Sequence, residues 1–460
     1  MGMEQLKNLP AVHQIVPVIN DKLTGLTPLE LREAARAGIL WARETVASGG
    51  ELPGIDQIIS RCVELASAGS RPTMETVINA TGIVLHTALG RASLPPAAIE
   101  AVRRVASGYS VLQWNRKTGK RGSRDEHIAH LITAITGAEA ATVANNNAGA
   151  TLLVLSAMAA GKEVIVSRGQ LVEIGGSFRI PEVMKQSNCT MVEVGCTNRT
   201  HLRDYENAVT ENTAAILRVH PSNYRVKGFT GEVELEELVA LGRQRGIPVI
   251  DDLGAGSLIP LNKFGIPSEP TIVHSVKTGA DVITCSGDKL IGGPQAGIIL
   301  GREKYLSRIK KHPLARALRV GKLTIAALQA SLRIFLETPE YIAENHPVYR
   351  SFSVPVEKLR ERAQVITGIL EQSENLVVSV GSMDSFVGSG SLPDFAIPSA
   401  GVSVRCPDPE KLASALRLSS PAVACRVEND ALQLDLRAVA PEQDEMLAGL
   451  VAEKAGELWG

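Results

Sequence analysis

The chain has 460 residues, 44% hydrophobic and 21% charged, with a formal net charge of −1. That length has room for two or three domains and a sizeable core, and the near-neutral balance excludes a global electrostatic pull toward nucleic acid. Aromatics make up only 3% while glycines number 41, which favours α/β layers over an all-β sandwich. The six cysteines (Cys62, Cys189, Cys196, Cys285, Cys406 and Cys425) are scattered, with no CxxC pair and no zinc-ligand spacing, as in reduced thiols. No basic-then-apolar leader is evident, and the most apolar helical run, Ala148–Ala160, is too short to cross a bilayer. These features predict a soluble cytoplasmic protein.

Residues 1–70 read as a separate helical module. Thr27-Pro-Leu-Glu30 is a start signal for a helix over Leu29–Ala47 that stops at Gly49-Gly50, and a second helix is expected over Ile55–Ala66. Ser67–Thr73 reads as a linker or hinge. The module holds six basic and eight acidic residues, a net of −2. Arg32, Arg36 and Arg43 fall on roughly one helical face, which charge alone reads as a solvated face paired with neighbouring glutamates.

From Val77 to Arg302 strand-like and helix-like runs alternate. Strands are expected at Ala141–Ala144, Glu163–Ser167, Met191–Gly195, Ala214–Val219, Pro248–Asp251, Asp281–Cys285 and Ala296–Leu300, with helices between most of them, such as Ala148–Ala160 and Leu235–Arg245. This alternation predicts a mostly parallel seven-stranded sheet covered on both faces, with active groups at the strands' carboxyl ends. The short loop between the last two runs makes one strand antiparallel. Beyond a helix at Lys322–Leu336, strands at Leu376–Val380, Gly401–Cys406, Ala422–Glu428 and Ala431–Asp435 mix with helices at Val356–Glu371, Pro409–Leu418 and Pro441–Lys454. The expected domains are therefore 1–70, helical; 71–340, a large α/β domain in which 71–100 links and contacts the cap; and 341–460, a small α+β domain.

The chemistry gathers at Ser286-Gly-Asp-Lys289-Leu-Ile-Gly-Gly-Pro-Gln-Ala-Gly297, between the last two strands. A lysine leaving a strand end among glycines can approach a planar ligand, which makes Lys289 a candidate for a Schiff base with pyridoxal 5'-phosphate (PLP). Ser286 is placed to donate its hydroxyl to the cofactor phosphate. Alone, the stretch fits equally a glycine-rich strand–turn–strand with a solvated lysine. Cys285, beside it, reads as a buried small hydrophobe. Val249-Ile-Asp251-Asp252 closes a strand with a carboxylate, and Asp251 can bond a protonated pyridine nitrogen. Spacing does not separate Asp251 from Asp252, and both could instead cap a helix or bind a metal. Asn145-Asn-Asn147-Ala148-Gly149 opens a helix whose N-terminal amides can cradle a phosphate, although asparagines are also ordinary N-caps. Asn223, in His220-Pro-Ser-Asn223-Tyr224 after another strand, could bond the cofactor's phenolic oxygen or simply form an Asx-turn. Phosphate cradle, Asn, Asp and Ser-x-x-Lys, each after a strand, resemble in their order the fold-type I, aspartate aminotransferase-like class of PLP enzymes.

A basic set lies outside these motifs: Arg91, Arg121, Arg124, Arg316 and Arg319. Arg316 and Arg319, at i and i+3, could grip one oxyanion from a single helical face, whereas any one of the set could be a surface ion pair.

Four stretches resemble the bacterial selenocysteine synthase family, L-seryl-tRNA(Sec) selenium transferase: Leu6-Lys-Asn-Leu-Pro-Ala-Val12, Asn79-Ala-Thr-Gly-Ile-Val-Leu-His-Thr-Ala-Leu-Gly-Arg91, Thr118-Gly-Lys-Arg-Gly-Ser-Arg124 and Ser286–Gly297. Gly388-Ser-Gly-Ser-Leu-Pro393 and Leu434–Asp444 resemble the same family. Two departures are Gly388-Ser-Gly-Ser, where an all-glycine run is expected, and His13, where the family often has Asp. The resemblance implies conversion of L-seryl-tRNA(Sec) to L-selenocysteinyl-tRNA(Sec) with selenophosphate, through a PLP-bound aminoacrylyl intermediate. Lys289 would serve as base and Asp251 would hold the ring protonated. It also implies that Arg91, Arg316 and Arg319, with Asp288, surround the selenium donor. The helical module would grip the tRNA, and the chain would form a homo-oligomer, a decameric ring of dimers, with no membrane or DNA partner. A PLP-dependent lyase or aldolase on a small amino acid or amino-sugar acid explains the core motifs equally well, but gives residues 1–70 no role. A tRNA-binding scaffold with a dead PLP fold conflicts with the intact Lys289, Asp251 and Ser286.

Overall fold

The computed structural model describes residues 9–70, 74–176, 178–267 and 269–460, and the chain divides into two compact units, Met1–Thr76 and Val77–Gly460. The first holds the helices Val12–Lys22, Pro28–Ala47 and Ile55–Ser70. Pro17 lies inside the first of them and obscures its periodicity in the sequence. The second begins at the expected signal: Thr27 Oγ1 accepts from the Glu30 N–H at 3.3 Å, and Glu30 Oε2 accepts from the Thr27 N–H at 2.6 Å. Leu31, Ala35, Ile39 and Ala42 recur at helical spacing and are buried with Ile15, Ile19, Ile58 and Cys62. Gly38 sits where the second and third helices approach, since a Cβ there would stand 2.1 Å from Cys62 Sγ. The Leu6–Val12 motif begins outside the described residues. The segment read as a hinge starts inside the third helix, which runs to Ser70, and residues 71–73 lie outside the described residues.

The second unit opens with β1 (Val77–Asn79) and continues through β2 (Ala140–Ala144), β3 (Glu163–Ser167), β4 (Glu173–Ile174), β5 (Phe178–Arg179), β6 (Thr190–Val194), β7 (Thr213–Val219), β8 (Val249–Gly254), β9 (Val282–Ser286) and β10 (Gly297–Gly301). Seven of these form the central sheet in the order β2-β10-β9-β8-β7-β3-β6. Only β10 runs antiparallel to its neighbours, as the short β9–β10 loop requires. Alternate residues of the strands feed two cores. Val143, Ile165, Ile216, Val249 and Ile283 enter one, and Ala144, Val164, Leu217, Ile250 and Val282 enter the other. Helices cover both faces: Glu126–Thr136, Leu235–Arg245 and Lys322–Ile334 contribute to the first core, and Asn147–Ala159, Ile180–Gln186 and Glu303–Lys311 to the second.

Toward the C-terminus β11 (Val377–Gly388), β12 (Ser391–Arg405), β13 (Ala422–Ala424), β14 (Arg426–Glu428) and β15 (Ala431–Asp435) follow. A four-stranded antiparallel sheet, β11-β12-β15-β14, packs on the helices Val356–Leu370, Pro409–Arg417 and Asp444–Trp459 around a third core that includes Leu359, Val402, Leu432 and Val451. β1 pairs in parallel with β13 in a separate two-stranded sheet, and Ile78 and Val423 of that pair are buried in the third core, so the segment entering the unit is tied first to this region. Ser389, at the tip of the β11–β12 hairpin, takes φ +50° between Gly388 and Gly390, the left-handed conformation that a glycine run would adopt more easily. Its hydroxyl donates to the Leu85 carbonyl at 2.6 Å.

Candidate active site and a neighbouring basic cavity

A cavity of about 310 Å³ opens at the carboxyl ends of β7, β8 and β9 and the start of the helix after β2. Lys289, Ser286, Asn147, Ala148, Arg91, Asp252 and His220 all line it. Ser286 is the last residue of β9, and Lys289 follows in a tight turn closed by Gly292 N–H to the Lys289 carbonyl (2.9 Å) and Gly293 N–H to the Gly287 carbonyl (2.8 Å). Lys289 is 5% exposed, and its amine makes no hydrogen bond or ion pair with any described residue. Burial pushes its pKa down, the Arg91 guanidinium adds to this, and Asp288, Asp252 and Glu269 oppose it.

Asp251 and Asp252 are neighbours on β8 and therefore project to opposite faces of the sheet. Asp251, expected from the sequence to meet the cofactor, does not line the cavity, whereas Asp252 does. Asp251 is fully buried away from the cavity, accepting from Arg218 at 2.9 Å and Ser275 Oγ at 2.6 Å. Asp252 lies on the side covered by the helix Asn147–Ala159. It accepts from Asn147 Nδ2 at 2.9 Å and from Thr151 Oγ1 at 3.1 Å. No described residue forms an ion pair with it, and burial holds its carboxyl above the usual range despite these hydrogen bonds.

Asn146 is the N-cap of that helix, its side chain accepting from the Gly149 N–H at 2.8 Å, so the backbone at Asn147 and Ala148 forms the helix's first turn at the cavity wall. Asn147 Oδ1 is buried with no hydrogen-bond partner among the described residues. Asn223 does not line the cavity. Its Nδ2 donates to the Glu173 carbonyl at 2.9 Å and so tethers the β4–β5 hairpin, whose Ile174 and Phe178 do line it. His220, the first residue after β7, lines the cavity instead, with Nε2 3.0 Å from Glu269 Oε2. Its position directly after a strand was the available signal. Gln295, within the Ser286–Gly297 motif, is also a wall residue that the spacing did not single out.

Arg91 pairs with Asp288 at 2.6 Å. Its backbone takes φ +64° after Gly90 at +88°, a conformation that costs a non-glycine residue roughly 1–2 kcal/mol. The other four arginines line a second cavity of about 380 Å³, together with Lys310, Lys311, His312 and Asp125. Arg124 donates to the Gln113 side chain at 2.9 Å and to the Val320 carbonyl, and burial lowers its pKa with Arg319, Arg121 and Arg316 adding to the effect. Arg121, Arg316 and Arg319 make no side-chain hydrogen bond or ion pair with any described residue. The shared helical face expected for Arg316 and Arg319 is replaced by a helix end. The helix Pro313–Ala317 stops before Arg319, because Leu318 leaves helical geometry and gives its carbonyl to the Asn145 N–H at 2.7 Å. The expected set around one donor is thus divided within a single chain: Arg91 and Asp288 stand together, and Arg316 and Arg319 line the other cavity.

Among solved structures, D-glucosaminate-6-phosphate ammonia-lyase is similar in fold, with a TM-score of 0.58 and 22% identity over 88% of this chain and 99% of that one. The fold is the mostly parallel α/β fold-type I arrangement expected from the order of the motifs. L-seryl-tRNA(Sec) selenium transferase of Solidesulfovibrio magneticus is 44% identical, covering 97% of each chain. The enzymes of that name from Nitratidesulfovibrio vulgaris and Geobacter sulfurreducens are 48% identical over 88% of this chain and 86% of theirs, and 44% identical over 99% and 97%. With the family model for L-seryl-tRNA selenium transferase matching residues 77–440, the chain belongs to that family.

Proposed function

We propose that the chain converts L-seryl-tRNA(Sec) to L-selenocysteinyl-tRNA(Sec) with PLP as cofactor and selenophosphate as selenium donor. One observation carries the reading: among the described residues, a buried lysine without a hydrogen-bond or ion-pair partner and a buried carboxylate without a cation line the same cavity. These are the two groups a pyridoxal ring requires, one for its aldehyde carbon and one for its protonated nitrogen. Lys289 and Asp252 would hold the ring, His220 would stand beside it, and Ser286 with the helix start at Asn147 and Ala148 would take the phosphate. When bound, PLP withdraws electrons from the α-carbon of the serine ester.

The depressed pKa of Lys289 leaves more of its amine neutral near physiological pH, as needed to take the serine α-proton. Arg91, on the cavity wall, is held by the Asp288 carboxylate beside Lys289, and the pair would orient the incoming donor or relay a proton to the departing β-hydroxyl. Across the reaction the β-hydroxyl leaves as water, selenium takes its place on the β-carbon, and a water molecule cleaves the selenium–phosphorus bond to release phosphate, so that no net water is formed. Arg316 and Arg319, with Arg121 and Arg124, supply the charge for an anionic donor. Because one chain divides Arg91 from Arg316 and Arg319, we assign completion of the site to a second copy, within the homo-oligomeric ring of dimers that the family resemblance implies. The helical unit takes the tRNA. All six cysteines are free, which suits a reducing cytoplasm, and among the described residues no helix is long and apolar enough to cross a membrane.

The test is incubation of the protein with seryl-tRNA(Sec) and selenophosphate, with mass analysis of the aminoacyl group. Selenocysteine on the tRNA is the expected result. Unchanged serine in the presence of bound PLP would overturn the assignment.

A further inference from the structure

Immediately after Lys289 the backbone carbonyls of Leu290 and Ile291 are directed into a buried aromatic cluster instead of a strand or helix. Tyr349 Oη donates to the Leu290 carbonyl at 2.8 Å, and His346 Nε2 stands 3.0 Å from the Ile291 carbonyl. His346, Tyr349, Leu290 and Ile291 are all 0% exposed. A carbonyl only accepts, so the imidazole must carry its proton on Nε2. Burial lowers the pKa of His346 to about 4, which keeps the ring neutral, and its Nδ1 has no hydrogen-bond partner among the described residues. The two rings meet edge to face at 5.0 Å, and Phe335 packs on both at 5.5 and 5.6 Å. Phe264 and Phe352 brace Tyr349 at 4.8 and 6.0 Å. Gly292, at φ +62°, lets the imidazole lie against the turn, since a Cβ there would be 2.0 Å from His346 Cε1.

We propose that His346 and Tyr349 are positioning residues for Lys289, acting through the carbonyls of Leu290 and Ile291 to fix where the lysine amine stands in the cavity. Neither side chain lines that cavity, and neither belongs to a motif assigned to the chemistry. They sit on or beside the short helices Pro339–Asn345 and Pro347–Ser353, so the chain beyond the central sheet returns to clamp the turn that carries the lysine. Lys289 is the one wall residue that must both hold the cofactor and move away from it, and it rides on a glycine-rich turn with little intrinsic stiffness. Two hydrogen bonds to consecutive carbonyls supply that stiffness without placing a group in the path of the substrate.

This inference rests on Lys289 being the PLP lysine, and its test separates the two. Purified wild-type protein, Tyr349→Phe, His346→Gln, His346→Leu and Phe352→Leu are stripped of cofactor and reloaded with PLP. The rate at which the long-wavelength absorbance of the lysine-bound cofactor returns and the midpoint of its pH titration are then measured, alongside Tm. Borohydride reduction and peptide mapping locate the label. Loss of one hydrogen bond in Tyr349→Phe should slow reloading by about five-fold and shift the titration midpoint. His346→Leu should act likewise, and His346→Gln, which can still donate to the Ile291 carbonyl, should recover most of the wild-type rate. Phe352→Leu loosens the cluster without removing either hydrogen bond, so it should lower Tm and leave rate and midpoint unchanged. A wild-type rate and midpoint in Tyr349→Phe, or an equal shift in Phe352→Leu, would overturn the positioning role while leaving the PLP assignment standing. A wild-type label on a lysine other than Lys289 would overturn both.

Discussion

The two cavities of the larger unit treat charge in opposite ways. Around Lys289 the ionised groups are few, mostly buried, and answered by specific neighbours: Arg91 with Asp288, and Asp252 with Asn147 and Thr151. In the second cavity Arg121, Arg316 and Arg319 are exposed and have no side-chain hydrogen-bond partner among the described residues, and Asp125 is the single acid lining it beside seven basic side chains. A buried charge is tolerated only with fixed partners, so the first arrangement suits a group that stays bound and is held in one orientation. Exposed guanidiniums keep their hydration until an anion arrives, which suits a ligand that comes and goes with each turnover. The contrast is what supports the proposal that the first cavity takes the cofactor and the second supplies charge for the donor.

The largest effect that could break this division is at Lys289. Lys289→Ala should remove covalent capture of PLP and lower selenocysteinyl-tRNA formation by about 10³-fold or more, the scale of losing a positioned base together with its covalent role. Absorbance of the purified protein and single-turnover product analysis would show it. Retained turnover at more than a tenth of the normal rate would mean that the first cavity is not the cofactor site.

The two adjacent aspartates sharpen the comparison next. Asp252→Asn should weaken PLP binding and slow turnover by about 10²-fold, because an amide cannot stabilise a protonated ring nitrogen as a carboxylate does. Asp251→Asn should leave the cofactor spectrum unchanged and instead cost about 3 kcal/mol of stability, since Arg218 would be left buried without its counter-charge. Cofactor titration and thermal melts of both variants would distinguish these outcomes, and the reverse assignment of effects would restore Asp251 to the site.

That pair also shows what could be read from the sequence. Lys289, Ser286 and Asn147 were legible because each follows a strand at a glycine- or asparagine-marked turn, and parallel sheets place such residues at one edge. Choosing between Asp251 and Asp252 needed the phase of β8, and a one-residue change of phase exchanges the faces. The sequence shows where a strand ends but not which face the helix Asn147–Ala159 covers. Asn223 was misplaced for a related reason. The loop after β7 turns its side chain toward the Glu173 carbonyl, a tertiary contact that no local pattern specifies. The i, i+3 reading of Arg316 and Arg319 assumed a helix that Leu318 ends, yet both residues reach the same cavity.

A smaller effect belongs to the second cavity. Arg316→Ala or Arg319→Ala should raise the KM for selenophosphate about ten-fold or more while the PLP absorbance and the stability stay near wild type. Steady-state kinetics with the donor varied, set beside cofactor titration, separates the two cavities directly. Loss of PLP with normal donor kinetics would merge them into one site.

The smallest expected effect carries the distinction between paired and unpaired guanidiniums into the helical unit. Arg36 is paired with Glu33 at 2.8 Å, with both side chains more than half exposed, and Arg32 Nε donates to the Pro28 carbonyl at 3.0 Å. Arg43 lies on the same helix and makes no side-chain hydrogen bond or ion pair with any described residue. The unit's net charge of −2 leaves little bulk attraction for RNA, so individual unpaired cations should count for more than their number suggests. An arginine already paired must release its carboxylate before it can serve a phosphate, although an exposed pair holds it by only about 0.2–1 kcal/mol. Arg43→Ala should therefore weaken seryl-tRNA(Sec) binding by a few-fold and reduce the slope of log affinity against log salt by about one. Arg36→Ala should do less on both counts. Filter-binding titrations at several salt concentrations can rank the two. If both variants kept wild-type affinity and salt slope, the tRNA contact would have to be sought on another face of the unit.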